Sequence, residues 1–262
     1  MKIIVCIKQV PDTAEVRLDP KTNTLIRDGV PSIINPDDKA GIEAALRLKD
    51  KVGGTVTVLS MGPAQAEEAL REALAMGCDE AVLLSDRAFG GADTWATSLT
   101  LASALKKMEY DLIITGRQAI DGDTAQVGPQ IAEHLGIPQI SYARDIQVED
   151  GKVVVQREFE DRVHILEASM PCLVTALAEL AEPRYMTVAG IVAAYAKKID
   201  VWTLSAIEDQ VQPEALGLKG SPTRVKKSFT KQAKGQGELK TGLSADEAAQ
   251  EIFAALRSRH LI

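Results

Sequence analysis

The sequence predicts an α/β fold built on a doubly wound, mostly parallel sheet. Two observations support this prediction. Short apolar, β-branched runs alternate with helix-like segments through the first half of the chain, and capping residues, proline or glycine mark several of the boundaries between them. Strands that alternate with helices usually pair in parallel through right-handed crossovers, with the helices covering both faces of the sheet.

The predicted elements follow one another at short spacing. Four apolar runs predict strands at residues 2–7, 55–60, 81–84 and 112–115. The first helix begins at Asn35-Pro36, because asparagine is a good N-cap and proline suits the first helical position, and it stops at Gly53-Gly54. An alanine-rich helix ends at Gly77, and further helices cover about residues 94–107 and 124–135.

Three segments add to this regular pattern. Two short apolar runs within residues 16–27 predict a hairpin-like insertion, and residues 146–156 predict a β-hairpin that turns at Asp150-Gly151. From about residue 212 the chain is rich in Gly, Pro, Lys and Ser, until Ser244 caps a last amphipathic helix. We therefore expect a nucleotide-binding α/β domain at residues 1–211 and an extended C-terminal arm at residues 212–262.

Composition excludes several classes of function. The aromatic share of 4% and the formal net charge of -7 argue against a nucleic-acid partner. No apolar run is long enough to predict a membrane span, and the N-terminus is charged too early for a signal peptide. The three cysteines are far apart and odd in number, so we expect reduced, buried thiols in a cytoplasmic protein.

Three loops follow predicted strands, at the sheet edge where doubly wound folds bind ligands. They cover residues 61–63, 85–94 and 116–129. The second and third contain glycines and lead into helix N-termini, where free N–H groups and the helix dipole favour a phosphate. Thr124 and the N–H groups of residues 125–127 are the best phosphate contacts, and Arg117 is a candidate neutralising charge.

Another interpretation of these loops remains open. Asp123 and Gln126 have the spacing of a capping box, and Asp93-Thr94 is an ordinary helix cap. Arg117 is equally consistent with a solvated surface residue. The GxGxxG and phosphate-loop fingerprints are both absent, and neither metal-ligand spacing nor a catalytic motif links His134, His164 and His260. The residues alone therefore predict no catalytic group and no metal site.

The order and spacing of several motifs make the sequence resemble the electron-transfer flavoprotein β family along nearly its whole length. The matching stretches are residues 5–13, Asn35-Pro36 with the helix at 40–49, and residues 61–65, 116–121, 126–129 and 182–185. The family also has a sequence signature that precedes a proline. This chain keeps the signature in part, but Arg162 and His164 depart from it. Residues 10–13 and 85–94 resemble the electron-bifurcating branch of the family.

This resemblance implies a Rossmann-like subunit that pairs with an electron-transfer flavoprotein α subunit carrying its own FAD. In the bifurcating branch, the β subunit holds a second FAD that accepts hydride from NADH. One electron then passes through the α-subunit flavin to an acyl-CoA dehydrogenase or a similar flavin dehydrogenase, and the other passes to ferredoxin. The protein's part is to hold the flavin and tune its potential.

The loops and the resemblance together predict the site residues. The predicted cofactor-binding residues are Cys6, Asn35, Asp38, Met61, Gly90, Gly91, Asp93, Thr94, Thr97, Arg117, Gln118, Ala119, Asp121, Gly122, Asp123, Thr124, Ala125, Gln126, Val127, Gly128 and Pro129. Residues 186–192 resemble the family's recognition loop, with Val188 and Ile191 as predicted partner-docking residues. The alternative for this segment is a helix face packed on the sheet.

Two other functions remain open. One is an ordinary electron carrier, in which the subunit holds AMP as a structural ligand in place of a second FAD. The other is a regulatory module that binds an adenine nucleotide on the same fold. A count of flavins per heterodimer separates bifurcation from the carrier, and a colourless homo-oligomer is expected of the regulatory module.

Overall fold

The computed structural model describes residues 1–12, 31–226, 235 and 237–262. The chain divides into two compact units, Met1–Lys226 and Lys227–Ile262. The first unit contains the sheet, and the described part of the second contains one helix. The hairpin-like insertion predicted at residues 16–27 lies outside the described residues, and so does Thr13.

The strands and helices predicted within the described residues occur in the predicted order, among further elements. The strands are β1 (Lys2–Ile7), β2 (Gln9–Pro11), β3 (Ser32–Ile34), β4 (Thr55–Met61), β5 (Glu80–Leu84), β6 (Leu112–Gly116), β7 (Gln139–Glu149), β8 (Lys152–Phe159), β9 (Arg162–Ser169), β10 (Cys172–Ala176) and β11 (Asp200–Trp202). The helices are α1 (Pro36–Val52), α2 (Glu67–Met76), α3 (Thr94–Leu105), α4 (Val127–Leu135), α5 (Val188–Ala196), α6 (Leu204–Ile207), α7 (Gly217–Gly220) and α8 (Ala245–Ser258).

Nine of the described strands form one sheet, in the order β11-β5-β4-β1-β6-β10-β7-β8-β9. The strands from β11 to β7 in this order are parallel, whereas β8 and β9 continue the sheet as an antiparallel meander. Because β1 lies near the centre of the sheet, it is buried on both faces. Ile3 and Val5 pack in one core with α1 and α2, and Ile4 and Cys6 pack in the other with α3 and α4. This arrangement confirms the doubly wound α/β prediction.

Turn and capping residues in the sequence predicted the ends of several elements correctly. Asp150 and Gly151 form the two-residue turn between β7 and β8 with φ values of 48° and 77°, as a type I′ turn requires. Gly77 ends α2, and the Asp93 carboxylate caps α3. Ser244 and Glu247 form a capping box at the start of α8. No helix in the described part of the chain combines the length and the apolar character needed to cross a bilayer.

The first unit continues beyond residue 211, where composition placed the domain boundary. Leu216 is buried in the same core as α3, and the Ser221 hydroxyl accepts the N–H of Asp93 at 2.8 Å. The Thr223 N–H and hydroxyl both bond the Asp93 carboxylate. Composition does not reveal these contacts, because one leucine and two hydroxyls anchor an otherwise polar segment.

Candidate functional site

The carboxyl ends of β1 and β6 lie side by side where the strand order reverses. From β1 the chain builds β4 and β5 on one side, then crosses to β6 and β10 on the other. Open parallel sheets bind their ligands in the crevice at such a point. Most of the predicted cofactor-binding residues follow these strands or begin α1, α3 and α4 at this edge.

Asp38, in the first turn of α1, joins the ends of β1 and β6. Its buried carboxylate accepts the N–H of Lys8 at 2.7 Å and the N–H of Gly116 at 2.9 Å. Burial raises the pKa of this carboxyl to about 7, against the opposing effect of hydrogen bonds from Lys8, Asn35 and Gly116. A Cβ at Gly116 would overlap Asp38 Oδ1, so the close approach requires glycine.

Asn35 fastens the loop that follows β6. Asn35 occupies the predicted N-cap position of α1, but its buried side chain makes no cap hydrogen bond. Nδ2 instead donates to the Gln118 carbonyl at 2.8 Å, and Oδ1 accepts the N–H of Ile120 at 3.1 Å. Asn35 therefore shapes the predicted phosphate loop from more than 80 residues away.

Two side-chain contacts hold the same loop further along. Lys8 Nζ binds the two carboxylate oxygens of Asp121 at 2.7 and 2.8 Å, and the Asp121 side chain is only 6% exposed. Gln118 Nε2 donates to Asp123 Oδ1 at 2.9 Å. Each of these aspartates is engaged by a cation or an amide, which reduces the repulsion that an incoming phosphate would meet.

Arg117 directly follows β6 and has an unused hydrogen-bond donor. Its backbone N–H bonds the Ala176 carbonyl at 2.8 Å. Its Nε lies 3.5 Å from Asp37 Oδ2 and is buried without a hydrogen-bond partner among the described residues. Burial raises the pKa of Asp37, and the Arg117 charge acts in the opposite direction. The Arg117 guanidinium is therefore paired with Asp37, while the Arg117 side chain as a whole is 36% exposed at this edge.

The structure corrects the predicted start of the next helix. α4 begins at Val127 instead of 124, and its N-cap is Gln126 without a side-chain cap, so the possible Asp123–Gln126 capping box does not form. Asp123 and Ala125 have φ values of 47° and 52°, which non-glycine residues adopt rarely. Within residues 1–12 and 31–226, no acceptor bonds the N–H groups of residues 124–126. The loop thus presents free N–H groups beside the positive end of α4.

The two glycines of this loop have different roles. A Cβ at Gly128 would lie 2.5 Å from Thr115 Oγ1 and 2.9 Å from Thr175 Cγ2, so Gly128 permits α4 to approach β6 and β10 closely. No described atom lies within 4 Å of a Cβ placed at Gly122. Gly122 therefore faces open space, whereas Gly128 and the adjacent Pro129 belong to the first turn of α4.

The predicted residues of the second loop divide into two groups. Thr94 Oγ1 donates to Gln126 Oε1 at 2.9 Å, which joins the start of α3 to the start of α4. Thr97 lies one turn further along α3 and donates its N–H to the Asp93 carbonyl. Gly90 and Gly91 instead pack against Leu218, whose N–H bonds the Gly90 carbonyl at 2.9 Å. The contacts of Asp93 are likewise with its own helix and with residues 221 and 223.

Cys6 and Met61 complete the predicted set at the ends of β1 and β4. Cys6 is buried, and burial together with the Asp38 charge raises the pKa of its thiol to about 12. The reactive thiolate is therefore not formed near neutral pH, and Cys6 packs in the core that also contains residues of α3 and α4. Met61 is partly buried against the core that holds Cys6.

Sequence reasoning did not include Lys8 and Asp37 among the site residues. Lys8 comes directly after β1, and that position alone could have identified it as a residue of the carboxyl edge. Asp37 carries no comparable signal, since an aspartate in the first turn of a helix is ordinary.

The predicted docking segment forms the short helix α5. The Thr187 side chain caps it by accepting the N–H of Gly190 at 2.9 Å. Val188 is 80% exposed and Ile191 is 39% exposed, whereas Ala194 is buried against the core beside α2. One face of α5 therefore packs on the domain and the other presents apolar side chains to solvent.

Comparison with known proteins agrees with this architecture. Residues 22–207 match the electron transfer flavoprotein domain family. The chain is 57% identical over 262 residues to the electron transfer flavoprotein subunit beta of Clostridium acetobutylicum, and 56% identical over 264 residues to the caffeyl-CoA reductase-Etf complex subunit CarD of Acetobacterium woodii. Both alignments cover all of both chains. It is also 47% identical over 269 residues to the acryloyl-CoA reductase electron transfer subunit gamma of Anaerotignum propionicum, again over both full chains.

The domain match covers more than two thirds of the chain, and the matched relatives align from end to end. The chain therefore belongs to the electron transfer flavoprotein family, among its beta subunits.

Proposed function

We propose that this subunit binds FAD at the carboxyl edge between β1 and β6 and takes part in NADH-dependent electron bifurcation. The observation that carries the proposal is the loop at residues 117–126, which combines free backbone N–H groups, the partly exposed Arg117 side chain and open space at Gly122. These features fit the diphosphate of a dinucleotide, because N–H groups at a helix start and a guanidinium both bind phosphate oxygens.

The charges around the loop support the same ligand. The carboxylates of Asp38, Asp121 and Asp123 all have partners within the protein. None of these three carboxylates is therefore free to repel an anion bound at the Thr124 hydroxyl and N–H. Asp37 is the carboxylate that pairs with Arg117. Residues 94 and 97, at the start of α3, are proposed to contact the same dinucleotide.

When bound, FAD supplies the redox chemistry: it takes two electrons from NADH as a hydride and releases them singly. The residues of this chain would hold the diphosphate through the N–H groups at the start of α4. We assign no covalent or acid–base step to any of them.

AMP is the alternative ligand, and the same N–H groups and Arg117 suit its phosphate. Membership of the electron transfer flavoprotein family favours either nucleotide over a regulatory module. The names of the matched relatives, which include electron transfer subunits of two CoA-substrate reductases, support an electron-transfer role. The resemblance of residues 85–94 to the bifurcating branch favours FAD over AMP.

The proposed partners follow from the same reasoning. One partner is an α subunit that carries the second flavin. The amphipathic helix α8, with exposed Ile252 and Phe253, is suited to contact this α subunit. Val188 and Ile191 dock an acyl-CoA dehydrogenase or a similar flavin dehydrogenase, and ferredoxin receives the other electron. Three free, buried cysteines are consistent with the cytoplasm as the compartment.

The proposal is tested by purifying the chain with its α subunit and extracting the nucleotides. We expect two FAD and no AMP per heterodimer, with both flavins reduced by NADH. One FAD and one AMP would support the ordinary carrier instead. No nucleotide beyond the α-subunit flavin would remove the carboxyl edge as a cofactor site.

A further inference from the structure

α5 is a short helix that depends on its neighbours. It has nine residues, none of them charged, and includes Gly190, so it would be marginal as an isolated helix. Tyr195 and Val192 are 75% and 67% exposed, in addition to Val188. An exposed helix of this kind keeps one geometry only if contacts from the domain hold it.

Arg71, on α2, supplies the contacts at the C-terminal end of α5. Its Nη1 donates to the Ala194 carbonyl at 2.6 Å and to the Lys197 carbonyl at 2.7 Å. The carbonyls at the end of a helix have no partner within the helix, and the dipole makes this end negative. The Arg71 side chain is only 17% exposed, and its guanidinium lies 5.7 Å from the centre of the Tyr195 ring.

Other contacts show how closely α5 follows α2. A Cβ at Gly190 would lie 2.8 Å from the Ala75 carbonyl oxygen, so only glycine permits the observed spacing of the two helices. Lys197 Nζ donates to the Cys78 carbonyl at 2.7 Å, just after α2 ends. The last turn of α5 is therefore fixed to α2, while its first turn carries the exposed Val188.

The segment before α5 is fixed independently to α1. Arg184 donates its Nε at 2.8 Å and its backbone N–H at 3.1 Å to the Glu43 carboxylate, whose side chain is 5% exposed. Arg47 donates to the same carboxylate and to the Glu182 carbonyl. Contacts on both sides therefore hold α5, while its outer face stays exposed.

We propose that Arg71 is a positioning residue that holds α5 in the geometry needed to dock the electron-accepting dehydrogenase. The inference rests on the proposed docking role of Val188 and Ile191. Arg71 lies on α2, away from the carboxyl edge of the sheet, and it lines the same cavity as Ile191 and Tyr195. It acts by fixing the end of the helix that carries them, which lowers the cost of ordering the surface when the partner binds.

Three variants test this inference in the full complex with the α subunit. Arg71→Ala removes both carbonyl contacts, and Arg71→Lys keeps a cation that can restore part of them. Glu67→Gln removes the ion-pair partner of Arg71, 2.7 Å away, and leaves the carbonyl contacts in place. Arg162→Ala is the matched control, because it removes an exposed arginine on β9 whose ion-pair partner among the described residues is its neighbour Asp161.

The first measurement is amide hydrogen exchange of α5, followed by mass spectrometry. We expect exchange at residues 188–196 to become about tenfold faster in Arg71→Ala, the factor that corresponds to loss of one charge-assisted hydrogen bond. Arg71→Lys should recover part of the protection, and Glu67→Gln and Arg162→Ala should match the wild type. Unchanged exchange in Arg71→Ala would overturn the inference, whatever the fate of the docking proposal.

The second measurement is electron delivery to an acyl-CoA dehydrogenase at varied dehydrogenase concentration. A positioning role predicts a higher KM in Arg71→Ala with little change in kcat and unchanged flavin content, and partial rescue by Arg71→Lys. Faster exchange of α5 with an unchanged KM would overturn the positioning role. If Val188→Asp also leaves KM unchanged, the docking proposal itself fails.

Discussion

The carboxylate of Asp38 accepts the backbone N–H of Gly116 at 2.9 Å, and this single contact ties the start of α1 to the carboxyl end of β6. The second oxygen of the same carboxylate ties it to the end of β1 through Lys8. Because these two strands flank the point where the strand order reverses, Asp38 fixes the floor of the proposed cofactor site.

The raised pKa of Asp38 predicts a pH-dependent contribution to stability. Its ordinary value is 3.8 and its value in the folded chain is about 7, so the folded state binds the proton more tightly between these values. Asp38 therefore contributes to the free energy of unfolding in full below about pH 4, and this contribution is lost as pH rises to about 7. Between these values the free energy of unfolding falls by about 1.4 kcal/mol per pH unit. Asp38→Asn cannot titrate and should lack this slope.

Urea unfolding of both proteins between about pH 5 and about pH 8 isolates this effect. The free energy of unfolding of the wild type minus that of Asp38→Asn should fall with rising pH and level off above about 7. A difference that stays constant across this range would show that Asp38 does not titrate there.

Gly128→Ala should destabilise the domain whether or not a cofactor is bound. The added methyl group would meet Thr115 Oγ1 at 2.5 Å and Thr175 Cγ2 at 2.9 Å, and overpacking of this kind costs about 1–3 kcal/mol. Urea unfolding measures the loss, with Gly122→Ala as the control because its methyl group meets no described atom. Equal stability of the two variants would contradict the role assigned to Gly128.

Val188→Asp should weaken delivery of electrons to the dehydrogenase without affecting the cofactor. An anchor residue of an apolar contact is commonly worth enough to raise KM for the dehydrogenase about tenfold or more. Val225→Asp is the control, because Val225 is 74% exposed and lies outside α5. A loss of flavin from Val188→Asp would mean that α5 supports the fold and not the partner.

Truncation after Lys226 should leave the first unit folded but weaken its binding to the α subunit at least about tenfold, because the amphipathic face of α8 is removed. Co-elution and titration with the α subunit measure the effect. Truncation after Leu216 is the comparison, since it also removes the Ser221 and Thr223 contacts to Asp93 and should lower the unfolding free energy. Undiminished binding by the 1–226 chain would refute a role for the second unit.

Much of the fold could be predicted from the sequence because its signals are local. Apolar runs locate β1, β4, β5 and β6, Gly77 ends α2, and Asp150-Gly151 turns the hairpin. In each case residues close in sequence determine the backbone conformation. The apolar runs are buried as strands, and the glycines adopt the positive φ values that a helix end or a tight turn requires. Such signals also predict that the candidate site residues follow strands, and most of these residues lie at the carboxyl edge of the sheet.

The details of the site could not be predicted, because they depend on contacts between distant residues. Asn35 has the sequence signature of an N-cap, yet its side chain bonds residues 118 and 120. The Asp123–Gln126 spacing suits a capping box, but Gln118 binds Asp123 and Thr94 binds Gln126. Arg184 reaches Glu43 across 141 positions, and no local pattern encodes that pairing.

Gly122→Val tests the proposed cofactor site most directly. The new side chain enters space in which no described atom lies within 4 Å, and Gly122 is not among the residues with positive φ, so the unfolding free energy should stay close to that of the wild type. Gly237→Val, also in open space, is the control. We predict that the purified heterodimer of the Gly122 variant loses the β-subunit nucleotide and keeps the α-subunit flavin. Full retention of the β-subunit nucleotide at unchanged stability would contradict the site.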